Sequence, residues 1–252
     1  MRKTFLNHEK PLLTVMLQCE TPSLAISRIR NANCLGADAY GLQAESLKPE
    51  YQQPEVYAKL FNEMKGRPCY VTNYRGANNT GKSDDELATG LIQLAESGAT
   101  LIDVMGDMFC AHPEQLTDDE SAISRQIALI DRLHVLGTEV LMSSHLFKFA
   151  PAERVLEIAR EQQRRGADIV KIVTSANDMA QQIENLRITD LLKKELAVPF
   201  LFLSGGECSL HRRLGMKLGC CMSLCVYEHD EHSTPMQPLL STMKTIRDEI
   251  DF

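Results

Sequence analysis

The 252-residue chain has no apolar run of the roughly 18 residues that a membrane-spanning helix needs. Its first stretch, "MRKTFLNHEKPLL", lacks the apolar centre of a secretory signal, so the expected location is the cytoplasm. It has no excess of basic residues. The formal net charge is -7 and the pI is near 5.5, which argues against nucleic acid or an anionic membrane surface as a partner. An anionic substrate would therefore have to be held by locally placed cations. No G-x-G-x-x-G follows the first strand candidate and no Walker A pattern occurs, so a nucleotide crevice has no support. Linkers, repeats and low-complexity tracts are also missing, and one domain spanning residues 1–252 is the economical reading.

A disulfide framework is absent as well. The eight cysteines, Cys19, Cys34, Cys69, Cys110, Cys208, Cys220, Cys221 and Cys225, are scattered among apolar segments, as expected of reduced thiols in an intracellular chain. The "CCMSLC" cluster, followed by His229 and His232, lacks the paired spacing of a zinc site, and a strand would point its thiols in alternating directions. These are expected to be structural cysteines, and no metal or cofactor is expected.

What the chain does have is a repeated alternation of short apolar runs with longer amphipathic segments. The strand candidates are "LLTVMLQ", "ADAYGLQ", "CYVTNYR", "TLIDVMGD", "EVLMSSH", "DIVKIVT", "PFLFLSG" and "CCMSLCVY". Between them lie helical stretches such as "TPSLAISRIRNANCLG", "SDDELATGLIQLAESG", "DESAISRQIALIDRLHVLG" and "APAERVLEIAREQQRRG", several closing on glycine. Thr21 and Ser83 are candidate N-caps, the latter with Glu86 in a capping box. Eight such units in a chain of this length predict a (β/α)8 TIM barrel, whose chemistry gathers at the C-terminal ends of the strands.

Those ends carry Arg75 on strand three, Asp103 and Asp107 on strand four, His145 on strand five and Lys171 on strand six. His211, Arg212 and Arg213 follow strand seven, and Ser233 and Gln237 follow strand eight. Lys171 stands in the apolar run "GADIVKIVTSAN", flanked by Ile169, Val170, Ile172 and Val173. One reading has its stem snorkel to a strand end or meet a carboxylate. The other makes it a desolvated amine of lowered pKa, able to attack a carbonyl and form a Schiff base. His145 on the neighbouring strand then moves the proton that the iminium acidifies. A nearby arginine grips a carboxylate bidentately.

At these residues the chain resembles the type I 3-dehydroquinate dehydratases. "GADIVKI" resembles the family's Schiff-base strand, with Lys171 on its lysine, and "VLMSSHLFKFAPAE" the strand that delivers the catalytic histidine, with His145 on it. "HSTPMQP" resembles the substrate-covering loop, placing Ser233 and Gln237 on its binding serine and glutamine. "HRRLGMKLG" puts Arg212 on the carboxylate-gripping arginine, with Arg213 one residue away, and Arg75 falls on the third-strand arginine after one extra residue. The resemblance implies a metal-free dehydration of 3-dehydroquinate to 3-dehydroshikimate by a TIM-barrel enzyme, with a small-molecule keto-carboxylate as substrate and a homodimer as the assembly.

The chain also departs from the pattern. In "YGLQAE", Gly41 and Gln43 stand where the family presents a glutamate and an arginine. In "LIDVMGD", Met105 stands where a glutamate orients the histidine, leaving Asp103 or Asp107 as candidates for that task. Neither Gly nor Met accepts such a hydrogen bond strongly. Two further hypotheses follow. One is a class I lyase or aldolase acting on a different keto-carboxylate; the other is a catalytically weakened ligand-binding protein.

Overall fold

The computed structural model describes residues 3–207 and 209–250, so Cys208 lies outside the described residues. Eight strands alternate with eight helices: β1 (Leu12–Leu17), β2 (Ala39–Gln43), β3 (Cys69–Thr72), β4 (Leu101–Met105), β5 (Glu139–His145), β6 (Ile169–Ser175), β7 (Phe200–Gly205) and β8 (Met222–Cys225). The helices are α1 (Pro22–Leu35), α2 (Pro54–Glu63), α3 (Asp84–Glu96), α4 (Glu120–Val135), α5 (Ala152–Arg164), α6 (Met179–Glu195), α7 (Leu210–Leu218) and α8 (Leu240–Glu249). All strand pairings are parallel, in the order β7-β6-β5-β4-β3-β2-β1-β8. The two ends of that sheet meet where the Cys221 N–H donates to the Phe200 carbonyl at 2.9 Å. The result is a nearly closed (β/α)8 barrel, as the alternation predicts.

Local signals start and stop the helices where the sequence places them. Thr21 accepts from the Leu24 N–H at 3.4 Å, and Ser83 with Glu86 forms the full capping box. Gly166, at φ 99°, ends the α5 segment in the left-handed conformation that glycine adopts without steric cost, and the chain enters β6 at once.

Strand alternation sorts side chains into two faces. Leu13, Val15, Leu42 and Val71 face outward into the core shared with α1, α2 and α3. Leu12, Ala39, Leu101, Leu141, Ile169 and Met222 face inward and fill the barrel at its N-terminal end. One inward step further along the strands the lining turns polar, with Asp103, Ser143 and Lys171, all buried. An apolar plug thus closes one end of the barrel, and the charged groups above it look towards the other.

Candidate active site

At the C-terminal ends of the strands lies a cavity of about 470 Å³, bounded by Met16, Tyr70, Tyr74, His145, Lys171 and Arg212 among others. Lys171 is 4% exposed, and its Nζ donates to Tyr74 Oη at 2.7 Å, Tyr70 Oη at 2.8 Å and Asp103 Oδ2 at 3.1 Å. Both tyrosine hydroxyls in turn donate to Asp103 Oδ2, and Ser143 Oγ donates to Asp103 Oδ1 at 2.5 Å. The amine is therefore both buried and paired, which merges the two readings of the apolar lysine strand. Burial pulls the Lys171 pKa below its ordinary value, opposed by the attraction of Asp103. Burial first, then Asp103, holds both tyrosine hydroxyls well above the usual phenol range, so they remain protonated donors.

His145 ends β5 beside this cluster, its ring edge-on to Tyr74 at a centroid separation of 5.5 Å. Its support comes from neither Asp103 nor Asp107. Gln115 Oε1 takes the His145 backbone N–H at 3.1 Å and faces Nδ1 at 2.6 Å. Because a backbone N–H only donates, the atom it meets is the amide oxygen, and Nδ1 must then carry the ring proton. Nε2 is left with a free lone pair. Burial, then the positive charges of Lys171 and Arg212, holds His145 well below the usual histidine range, so its ring is a neutral base at neutral pH.

Gln115 sits in the loop between β4 and α4, which nothing in its sequence marks as functional. That loop is fastened from below. Arg165, buried just after α5, donates to the carbonyls of Gly106 at 3.0 Å and Thr117 at 2.6 Å, and to Gln126 Oε1 at 2.8 Å. Gln126 Nε2 donates to the Gly106 and Met108 carbonyls at 3.1 and 2.8 Å. A Cβ on Gly106 would stand 2.6 Å from the Gln115 carbonyl oxygen, so only glycine permits this approach.

Arg212 lines the cavity, anchored by Nε to the Ser204 carbonyl at 3.0 Å and without a carboxylate partner among the described residues. Burial lowers its pKa to about 10, which leaves the guanidinium charged at neutral pH and short of a counter-ion. Arg213 points elsewhere, to Ser209 Oγ at 2.9 Å. Gln237 also lines the cavity, and its Oε1 is buried with no partner among the described residues.

Two expected site residues stand differently. Arg75 is committed to Asp84 at 2.6 Å and Asp107 at 2.9 Å and is not part of the cavity wall. Strand β3 ends at Thr72, and in the segment beyond it Tyr74 joins the cavity wall while Arg75 turns to the two aspartates. Ser233 is spent on its own turn, with Oγ donating to the Asp230 carbonyl at 3.0 Å and accepting from the Asp230 N–H at 2.9 Å. Thr234 lines the cavity in its place, held by Gln18 at 2.8 Å. Met105 is buried in the apolar core, and Met16 fills the space beside Gly41, where an added Cβ would lie 2.2 Å from its Sδ. Glu45, also unflagged by the sequence, is buried behind Thr72 Oγ1, which donates to it at 2.9 Å; burial raises its pKa to about 7.

Comparison with known proteins bears on the fold and on the family. A 3-dehydroquinate dehydratase of Klebsiella pneumoniae subsp. pneumoniae is 28% identical over 222 residues, covering 84% of this chain and 82% of its own. The solved structure of 3-dehydroquinate dehydratase from Geobacillus kaustophilus superposes with a TM-score of 0.82 at 17% identity, over 97% of this chain and 93% of that one. A type I 3-dehydroquinate dehydratase from Clostridium difficile, solved with covalently modified comenic acid, gives 0.81 at 16% identity over 98% of each chain. The sequence profile of the type I 3-dehydroquinase family matches residues 13–251, and the chain belongs to that family.

Proposed function

We propose that this protein is a Schiff-base lyase that dehydrates 3-dehydroquinate to 3-dehydroshikimate. The observation that carries the reading is a buried lysine amine opening into the same cavity as a neutral histidine and an unpaired arginine. Lys171 attacks the ring ketone and Arg212 holds the substrate carboxylate. His145, through Nε2, removes the proton beside the iminium carbon and returns one to the departing hydroxide. Gln237 offers its free oxygen to a substrate hydroxyl. The family membership and the Klebsiella relative support the choice of substrate.

A second reading keeps the lysine chemistry and changes the keto-carboxylate. It is favoured by Met16 and Gly41, which put a thioether where one of the two second-strand contacts is expected, and by Gln43, which lines the cavity as an amide at the other. A site that hydrogen-bonds hydroxyls discriminates steeply through them, so their loss shifts preference towards less hydroxylated keto acids.

The test is intact mass and peptide mapping after incubation with 3-dehydroquinate and borohydride, alongside turnover of a keto-acid panel. A reduced adduct on Lys171 with turnover greatest on 3-dehydroquinate is the expected result. An adduct with faster turnover of another keto acid selects the second reading, and no adduct with any of them removes Lys171 as nucleophile.

A further inference from the structure

The cluster around Lys171 holds more acid–base groups than a nucleophile needs, and it differs in kind from the histidine side of the cavity. Forming an iminium from an ammonium and a ketone transfers two of the three ammonium hydrogens to the ketone oxygen, which leaves as water. Some group must carry both. His145 is poorly placed to do so, since among the described residues Nζ bonds to Tyr70, Tyr74 and Asp103 and not to the His145 ring, whose Nδ1 hydrogen is held by Gln115. Burial keeps the ring unprotonated at neutral pH, so it has no spare hydrogen to give at this stage. Tyr74, by contrast, lines the cavity, touches the reacting nitrogen at 2.7 Å and donates to Asp103, which touches the same nitrogen at 3.1 Å.

We infer that Tyr74 and Asp103 form the proton relay that makes and breaks the Lys171 imine, leaving His145 to work on carbon. This rests on the reading of Lys171 as the Schiff-base lysine. Asp103 takes a hydrogen from Nζ, and the freed lone pair attacks the ketone carbon. The C–N bond forms as the carbonyl π pair moves to oxygen. That oxygen takes the Tyr74 hydrogen, and Asp103 refills Tyr74. A second nitrogen hydrogen follows the same route to the hydroxyl, the C–O bond breaks, and water leaves as the nitrogen lone pair closes the C=N bond. One hydrogen stays on nitrogen and two leave in the water, so no outside acid or base is consumed. Tyr70, fully buried on the same nitrogen and carboxylate, holds the pair in place as a positioning residue.

The experiment is rapid mixing with 3-dehydroquinate, quenching into borohydride at timed intervals and reading the reduced Lys171 adduct by intact mass. It uses wild type, His145→Ala, Tyr74→Phe and Asp103→Asn, each with its melting temperature. The expected result is an imine-forming rate within about threefold of wild type for His145→Ala. A loss of about 100-fold or more is expected for Tyr74→Phe and Asp103→Asn, the scale of general acid–base catalysis. The two near-isosteric changes act on different elements, so if one variant fails to fold the other still decides. Wild-type-like trapping in a folded Tyr74→Phe or Asp103→Asn variant overturns the relay while leaving Lys171 as the nucleophile. A His145→Ala variant that loses imine formation as severely as they do overturns the division of labour. No adduct in wild type defeats the Lys171 reading itself.

Discussion

At the scale of single residues, the cavity assigns different electrostatic tasks to groups only a few ångströms apart. His145 and Lys171 both have pKa values lowered by burial, but the lysine keeps a carboxylate at 3.1 Å while the histidine meets an amide, two cations and the rings of Tyr74 and Phe147. A depressed histidine pKa means that the basic form persists to lower pH than usual. Lys171 and Arg212 face it as positive neighbours, and Tyr74 and Phe147 as neutral rings. The acidic limb of kcat/KM assigned to His145 is therefore expected well below pH 6.5 rather than at it. Replacing Gln115 by Glu adds a negative charge against Nδ1 and should move that limb back upward. A pH–rate profile of wild type and Gln115→Glu checks this, and coincident profiles in the two proteins would detach the limb from His145.

At the scale of elements, the strands are legible in the sequence because the signals are local, although β3, β4 and β8 close at Thr72, Met105 and Cys225, before the ends of the apolar runs. Alternating β-branched runs, a Ser83–Glu86 capping box and a glycine before β6 each act within a few residues. Lys171 and His145 stand out for the same reason, as polar residues at a strand position or strand end amid apolar neighbours. The expectation for Arg75 carries strand three on to residue 75, whereas β3 ends at Thr72 and Arg75 turns to Asp84 and Asp107. Counting inward from Tyr70 and Thr72 brings Tyr74 to the cavity. Gln115 is beyond any such count, because it reaches His145 only through the folded loop between β4 and α4. That loop is set by Arg165, 59 residues away in the chain at its bond to Gly106, and 48 and 39 away at Thr117 and Gln126. Arg165→Ala strips the Thr117 carbonyl and Gln126 Oε1 of their donor, while the Gly106 carbonyl keeps Gln126 Nε2. It is expected to cost about 2–4 kcal/mol of stability, as for other broken buried networks. It should also lower kcat by loosening Gln115, whereas Arg164→Ala, on an exposed pair with Glu161, should do neither. Denaturant midpoints and turnover measured on the two variants test the contrast.

At the scale of the whole molecule, the barrel encloses titratable groups whose effects on folding oppose one another. His145 and His211 are held below the ordinary histidine value, His211 at about 3, so the unfolded chain binds protons more readily than the folded one below about pH 6.5. Stability from these two is lost as pH falls. Glu45 has the other sign. Its folded pKa of about 7 exceeds the ordinary 4.5, so its contribution is fully present below 4.5 and is lost as pH rises through about 7. Over the interval where these effects overlap they offset each other, and the wild-type stability profile alone conceals both. Glu45→Gln keeps an acceptor for the Thr72 hydroxyl and removes only the titration. Relative to wild type, the variant should gain about 2–3 kcal/mol between pH 5 and pH 8, from roughly 1.4 kcal/mol for each tenfold change in an ionisation constant on folding. Denaturant unfolding at the two pH values reads that difference directly. A gap between variant and wild type that stays constant with pH would mean that Glu45 titrates alike in both states. Above about pH 5, where the carboxylates held low by their cationic partners do not yet titrate, the shoulder left in the variant belongs to the two histidines, and it should shrink when His211, edge-on to Phe202 and bonded to Thr189, is also replaced by Gln.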